Sequence, residues 1–169
     1  MYEGDIYENI LEGPRHQPPG PLAAPAALWW RALDGSSLRG YAPASPGPGW
    51  HLLQPLQRVQ GPSHAEQPGY HYVVETDVPP AREEEFNAWY REEHLPGLAA
   101  VPGTVGAYRF LRQAGRSPRY VACYDLLSPE VTQSAAWLAI RHTPWSSRVR
   151  PWFFNTRRTF HIRLEARTP

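Results

Sequence analysis

The chain has 169 residues, 41% apolar and 12% aromatic, with a formal charge of +1 and no run of like charge longer than three residues. That is enough for one compact domain with an appendage, and it offers neither the basic footprint of a nucleic-acid binder nor that of a protein held on an anionic membrane. All seventeen basic residues are arginine, which removes Schiff-base and lysine-base chemistry. One cysteine, Cys123, allows no internal disulfide and reads as a small buried apolar residue. No basic-then-apolar leader and no apolar run of membrane-spanning length is present, so a cytoplasmic location is expected.

Prolines and glycines are denser before residue 70. They divide the chain into a Pro/Gly-rich N-terminal segment, residues 1–68, and a domain, residues 69–169. Gly13 to Pro25 reads as irregular. Ala26 to Leu33 (AALWWRAL) and Trp50 to Gln60 (WHLLQPLQRVQ) read as strands that faintly echo YVACYDLL and TFHIRLEA. The segment is therefore either a degenerate half-repeat or an extension wrapped around the domain. Trp29 and Trp30 argue against disorder of the whole of it.

Tyr70 to Thr76 (YHYVVET) is β-branched and aromatic and predicts a strand closed by Val78-Pro79-Pro80. A helix opens at Pro80, places Glu83, Glu84 and Glu85 at the positive end of its dipole, and is expected to end near His94 because Leu95 precedes Pro96. Val101-Pro102-Gly103 makes a turn into the strand Thr104 to Arg112, and Gln113 to Pro118 links that to the strand Arg119 to Leu127. Ser128-Pro129-Glu130 predicts a second helix reaching Arg141, and Thr143-Pro144 a further helical turn. The chain closes with a strand over Arg157 to Glu165, where Phe160, Ile162 and Leu164 alternate with Thr159, His161 and Arg163.

The order is β-α-β-β-α-β, an α+β ferredoxin-like arrangement of a four-stranded antiparallel sheet with two helices on one face. Strands such as YHYVVET and RYVACYDLL are apolar or aromatic on both sides, so the second face needs a cover. A second copy of the chain would supply it, and a homodimeric α/β barrel is expected.

The run Phe86-Asn87-Ala88-Trp89-Tyr90-Arg91-Glu92-Glu93-His94-Leu95-Pro96, followed by Val101-Pro102-Gly103, resembles the dimeric α/β-barrel superfamily, in particular EthD-like members and relatives of the antibiotic-biosynthesis monooxygenases and muconolactone isomerases. The resemblance covers residues 70–165. It implies a ferredoxin-like protomer, a face-to-face dimer and a ligand cleft between helices and sheet. The superfamily hosts cofactor-free oxygenases, isomerases, cyclases and haem enzymes, so it leaves the reaction open.

At about 100° per residue, Phe86, Trp89, Tyr90 and Glu93 share one helical stripe with His94 at its edge. His94 is the candidate general acid/base, because an imidazole takes a proton from an activated carbon or hydroxyl and returns it elsewhere. Tyr90 and Glu93 are the candidate assistants. Candidates for binding a substrate are Trp89, His71, Glu75, Tyr120, Tyr124, His161 and Trp152, read as a polar-aromatic lining with an aromatic lid. The plainer reading of Phe86 and Trp89 is core, and of the strand residues an interface or exposed surface.

No CxxC pair, HExxH, phosphate loop or GxSxG elbow occurs. No metal and no cofactor is expected. Haem needs only one axial histidine such as His142 or His161, and it stays open beside a non-catalytic binding or structural protein. The leading expectation is a small-molecule isomerase, cyclase or cofactor-free monooxygenase acting on an aromatic or polyketide-like substrate.

Overall fold

The computed structural model describes residues 4–13 and 28–164. Residues 14–25 of the expected irregular stretch and Glu165 of the expected last strand lie outside them. Eight strands, β1 (Ile6–Glu12), β2 (Leu28–Ala32), β3 (Ser37–Ala42), β4 (His51–Gln60), β5 (Tyr70–Asp77), β6 (Thr104–Arg112), β7 (Tyr120–Leu126) and β8 (Phe154–Arg163), form one closed barrel in the order β1-β3-β2-β8-β5-β7-β6-β4. Each neighbouring pair is antiparallel.

This corrects the expectation of a four-stranded ferredoxin-like sheet. Strands β8-β5-β7-β6 do lie side by side, but β4-β1-β3-β2 of the same chain complete the ring. In each set of four the order is fourth, first, third, second. The two sets join where β2 pairs β8 (Trp30 with Arg163, Arg31 with Ile162, Ala32 with His161) and where β4 pairs β6. The cover that the two-sided strands require comes from within the chain, so a second copy is not needed to close the sheet.

Sequence patterning missed β1 and β3 because each turns a charge inward. Glu8 on β1 and Arg39 on β3 are 2% and 3% exposed, so neither strand shows clean apolar alternation. Arg39 bonds Glu8 and, at 2.9 Å, Glu75; Arg112 reaches Glu8 at 2.8 Å and also bonds Glu75. These two acids and two arginines tie β1, β3, β5 and β6 together inside the barrel. Burial alone would raise the Glu75 carboxyl, but Arg39 and Arg112 outweigh it and hold the group down at about 2. Trp30, Tyr41, Leu53, Val73, Phe110 and Val121 fill the rest of the interior.

Helices α1 (Glu83–Trp89), α2 (Leu95–Ala99), α3 (Ala135–Arg141) and α4 (Pro144–Val149) pack outside the barrel on the face of β5 to β8. The first helix does not stop at His94. Residues Tyr90–His94 form a π-helical turn and Leu95 stays in the α region with φ −66° and ψ −47°, so α2 continues through Pro96. Pro96 brings no N–H to the ladder, and the Leu95 N–H reaches back to the Tyr90 carbonyl, five residues behind it. The wider turn thus absorbs the proline instead of ending the helix. Ser128 opens only a 3₁₀ turn, and α3 starts later, capped by Ser134 accepting from the Trp137 N–H at 3.2 Å. Gly103, at φ 88°, makes the turn into β6 in a conformation that favours glycine. Among the described residues no helix is long and apolar enough to cross a membrane.

Candidate active site

The π-helical turn aims the motif. π-turns alter side-chain register within a helix and are frequent at functional sites. Here the turn places Tyr90 and His94 on the buried side, with His94 stacked on Trp89 at 4.0 Å and edge-on to Tyr90 at 5.2 Å. Trp89 is fully buried, donates its indole N–H to Ser146 Oγ at 3.2 Å, and ties α1 to α4. Glu93 points elsewhere. Its carboxylate accepts from the Thr143 hydroxyl at 2.6 Å, and Thr143 caps α4.

His94 and Tyr90 line a cavity of about 30 Å³ between the helices and the outer face of the barrel. Its aromatic walls are Tyr72, Trp89, Tyr124, Trp137 and Phe153, and Arg141, Arg150 and Arg158 stand around it without any acidic residue in the lining. His94 is 7% exposed, and its Nδ1 has no hydrogen-bond partner among the described residues. Burial first, then Arg150, Arg141 and Arg109, push the imidazole down to about 3, so it is neutral. Burial pushes the Tyr90 hydroxyl up to about 12, so it keeps its proton and shares a hydrogen bond with Tyr124.

Arg109 stands behind this wall with its guanidinium over the rings of Tyr90 at 4.3 Å, Phe86 at 4.7 Å and Tyr120 at 5.0 Å. It donates to Asn87 Oδ1 at 2.6 Å, and burial lowers it to about 10. A buried arginine held by rings and an amide, with no carboxylate in ion-pair contact among the described residues, adds to the positive potential around His94.

The expected lining residues separate into two places. Trp89 and Tyr124 border the cavity with His94 and Tyr90. Tyr120 lies on the same outer face of the barrel, packed on Phe86 at 4.9 Å, and Trp152 sits under Arg82 at 4.8 Å. His71, Glu75 and His161 face the barrel interior instead. The His71 Nδ1 meets Asp125 at 2.7 Å, its Nε2 meets the Tyr41 hydroxyl at 3.0 Å, and the His161 Nδ1 meets the His71 carbonyl at 3.3 Å. The reason is the strand's period of two: His71, Val73 and Glu75 share one side, while Tyr72 and Val74 share the other.

Sequence reasoning missed Tyr72, Trp137 and the three arginines. Arg158 was within reach, because the alternation that sets Phe160 on the helix side sets Arg158 there as well, opposite Val74 in register. His142, considered for haem, is exposed at the end of α3, and among the described residues no group of three or more His, Cys, Asp or Glu side chains is placed to hold a metal ion. A wider open groove of about 690 Å³ runs past Ile10, Leu33 and Thr159; Arg158 borders it as well, but unlike the first cavity its lining includes acids, Asp34 and Glu12, the latter paired with Arg157 at 3.0 Å.

No family model and no curated protein matches the chain. Solved structures do. A ferredoxin-fold protein from Listeria monocytogenes related to antibiotic biosynthesis monooxygenases superposes with a TM-score of 0.63 at 11% identity, covering 97% of each chain. The chain shares its fold with that protein. An anthrone oxidase-like protein superposes with a TM-score of 0.63 at 10% identity, covering 96% of this chain and 92% of that one. A major regulator of staphylococcal pathogenesis superposes with a TM-score of 0.61 at 7% identity, covering 95% of this chain and 99% of that one. At such identities the likeness concerns the fold, and function has to be argued from the site.

Proposed function

We propose that the chain is a small-molecule enzyme of monooxygenase-like character in which His94 takes a proton from an acidic aromatic or polyketide-like substrate. The observation that carries this is the buried His94 Nδ1, unpartnered, in a cavity lined by cations and hydroxyls and by no acid. The anthrone oxidase-like protein and the relative of antibiotic biosynthesis monooxygenases with the same fold support it.

An imidazole held near 3, among arginines and without an anion beside it, is a poor base. The anion formed when a phenol or enol gives up its proton is the counter-charge that the cavity lacks. It would stabilise the imidazolium and raise His94 toward its ordinary range. Tyr90, which stays protonated, is placed to donate a hydrogen bond to the developing oxyanion. With dioxygen as oxidant, a carbanionic CH₂ becomes C=O: the carbon loses four electrons, one oxygen atom stays in the new carbonyl, and the other leaves as water with the two hydrogens. No further oxidant enters that balance. The same proton transfer serves an isomerisation or a cyclisation, and oxygen uptake separates these from oxygenation.

A non-catalytic binding protein is the second reading, and cavity size favours it: about 30 Å³ holds only one or two waters. A ring enters only when side chains of this lining move outward. The test is oxygen consumption by the full chain with an anthrone as substrate. Uptake above the uncatalysed rate is expected, lowered about 10²-fold by His94→Ala. Uptake no faster than buffer alone for anthrones and related acidic phenols would put the binding reading in front.

A further inference from the structure

We infer that the mouth of the His94 cavity is a dock for a permanently anionic substituent, a carboxylate carried by the ligand beside its aromatic part. The inference rests on reading this cavity as a small-molecule site, and it adds the charge class of the molecule that enters. Arg141 at the end of α3, Arg150 after α4 and Arg158 on β8 arrive at one cavity from three separate elements. None of them has a carboxylate within ion-pair distance among the described residues. Several other arginines of the chain are paired: Arg148 with Glu85 at 2.7 Å, Arg157 with Glu12 at 3.0 Å, and Arg119 with Glu83.

The protein does use part of these side chains. Arg150 donates to the Arg141 carbonyl at 3.2 Å, and Arg158 bonds the Tyr72 hydroxyl. A guanidinium has five N–H groups in a fork that matches a carboxylate, so most of their donors stay free for a bidentate partner. Holding three like charges together costs free energy, and burial together with Arg141 and Arg158 pushes Arg150 below its ordinary range. An anion removes that cost. The independent observation is His94 itself, buried and with an unpartnered ring nitrogen in the same lining, which calls for a ligand at the inner end while the arginines call for charge at the outer end. Tyr72, Trp137 and Phe153 between them form a wall suited to an aromatic ring.

The test is isothermal titration of the full chain with 2-naphthoate and with its neutral isostere 2-naphthamide at neutral pH. The carboxylate is expected to bind at least about 10-fold more tightly, the scale of a charge-assisted hydrogen bond, with a preference that shrinks as salt is raised. Arg158→Gln alters an exposed side chain and should fold normally. Together with Arg150→Gln it should bring the two affinities within about twofold to threefold. Equal affinity of naphthoate and naphthamide for the unaltered chain would overturn the anion dock and leave the reading of the cavity as a site for neutral aromatics standing. A preference that survives in the double variant would place the anion elsewhere and also overturn the dock. Failure of both probes to bind would overturn the small-molecule reading together with it.

Discussion

A chain that begins at Gln67 is expected to be unfolded in plain buffer. The truncation removes β1 to β4, half of a closed barrel, and with them Trp30, Leu38, Tyr41 and Leu53, each at most 2% exposed. Large buried side chains contribute roughly 2 kcal/mol each, so these four alone account for most of the 5–15 kcal/mol that separates a folded domain from its unfolded chain. The loss continues beyond apolar area. Without Arg39 and Glu8, the side chains of Glu75 and Arg112 lose half of their network, and without Tyr41 the Nε2 of His71 loses its partner. Circular dichroism and limited proteolysis of the truncated chain check this. A cooperative melt within a few degrees of the full chain would contradict the integral barrel.

Glu75→Ala is expected to cost about 3–5 kcal/mol, because it leaves two buried arginines facing a single carboxylate. The pH dependence carries the same information with a definite sign. Glu75 is held at about 2, below its ordinary 4.5. Its contribution is complete above about 4.5 and is lost as pH falls through about 2. His94 and His161 are held at about 3, below their ordinary 6.5, chiefly by burial. The unfolded chain therefore takes up protons on both rings before the fold does, and stability declines as pH falls from about 6.5 toward 3. All three groups act in one direction. Urea midpoints should fall steadily from neutral pH to pH 4, and the Glu75→Ala variant should lose only the part below about 4.5. A flat profile over that range would contradict the buried neutral histidines.

Much of the outer layer was legible in the sequence because it obeys simple periods. β-branched and aromatic runs gave β5 to β8, Pro80 with three following glutamates opened α1, and Thr143-Pro144 opened α4. The rest was hidden by residues that serve two demands at once. Glu8 and Arg39 break the apolar alternation of β1 and β3 because they are satisfied by each other, by Glu75 and by Arg112 across four strands, and such pairing across more than a hundred residues leaves no local mark. Pro96 carried the signal of a helix end, and a π-turn overrode it. At the site, the stripe through Trp89, Tyr90 and His94 was readable from helical spacing. The arginine mouth was not, since Arg141, Arg150 and Arg158 come from three elements and look in sequence like ordinary solvated charges. Glu93 shows the opposite failure: its place beside His94 in sequence suggested a partner, but its position on the helix turns it to Thr143.

The most direct measurement is the ¹⁵N chemical shift of the His94 ring as a function of pH, with and without 2-naphthoate. In the free protein the ring should remain neutral down to about pH 4. With the naphthoate bound its titration should move upward toward the ordinary histidine range, as an anion in the cavity supplies the missing counter-charge. A ring that titrates near 6.5 in the free protein and does not respond to the ligand would contradict the reading of this cavity as the place where the chain binds an anion and moves a proton.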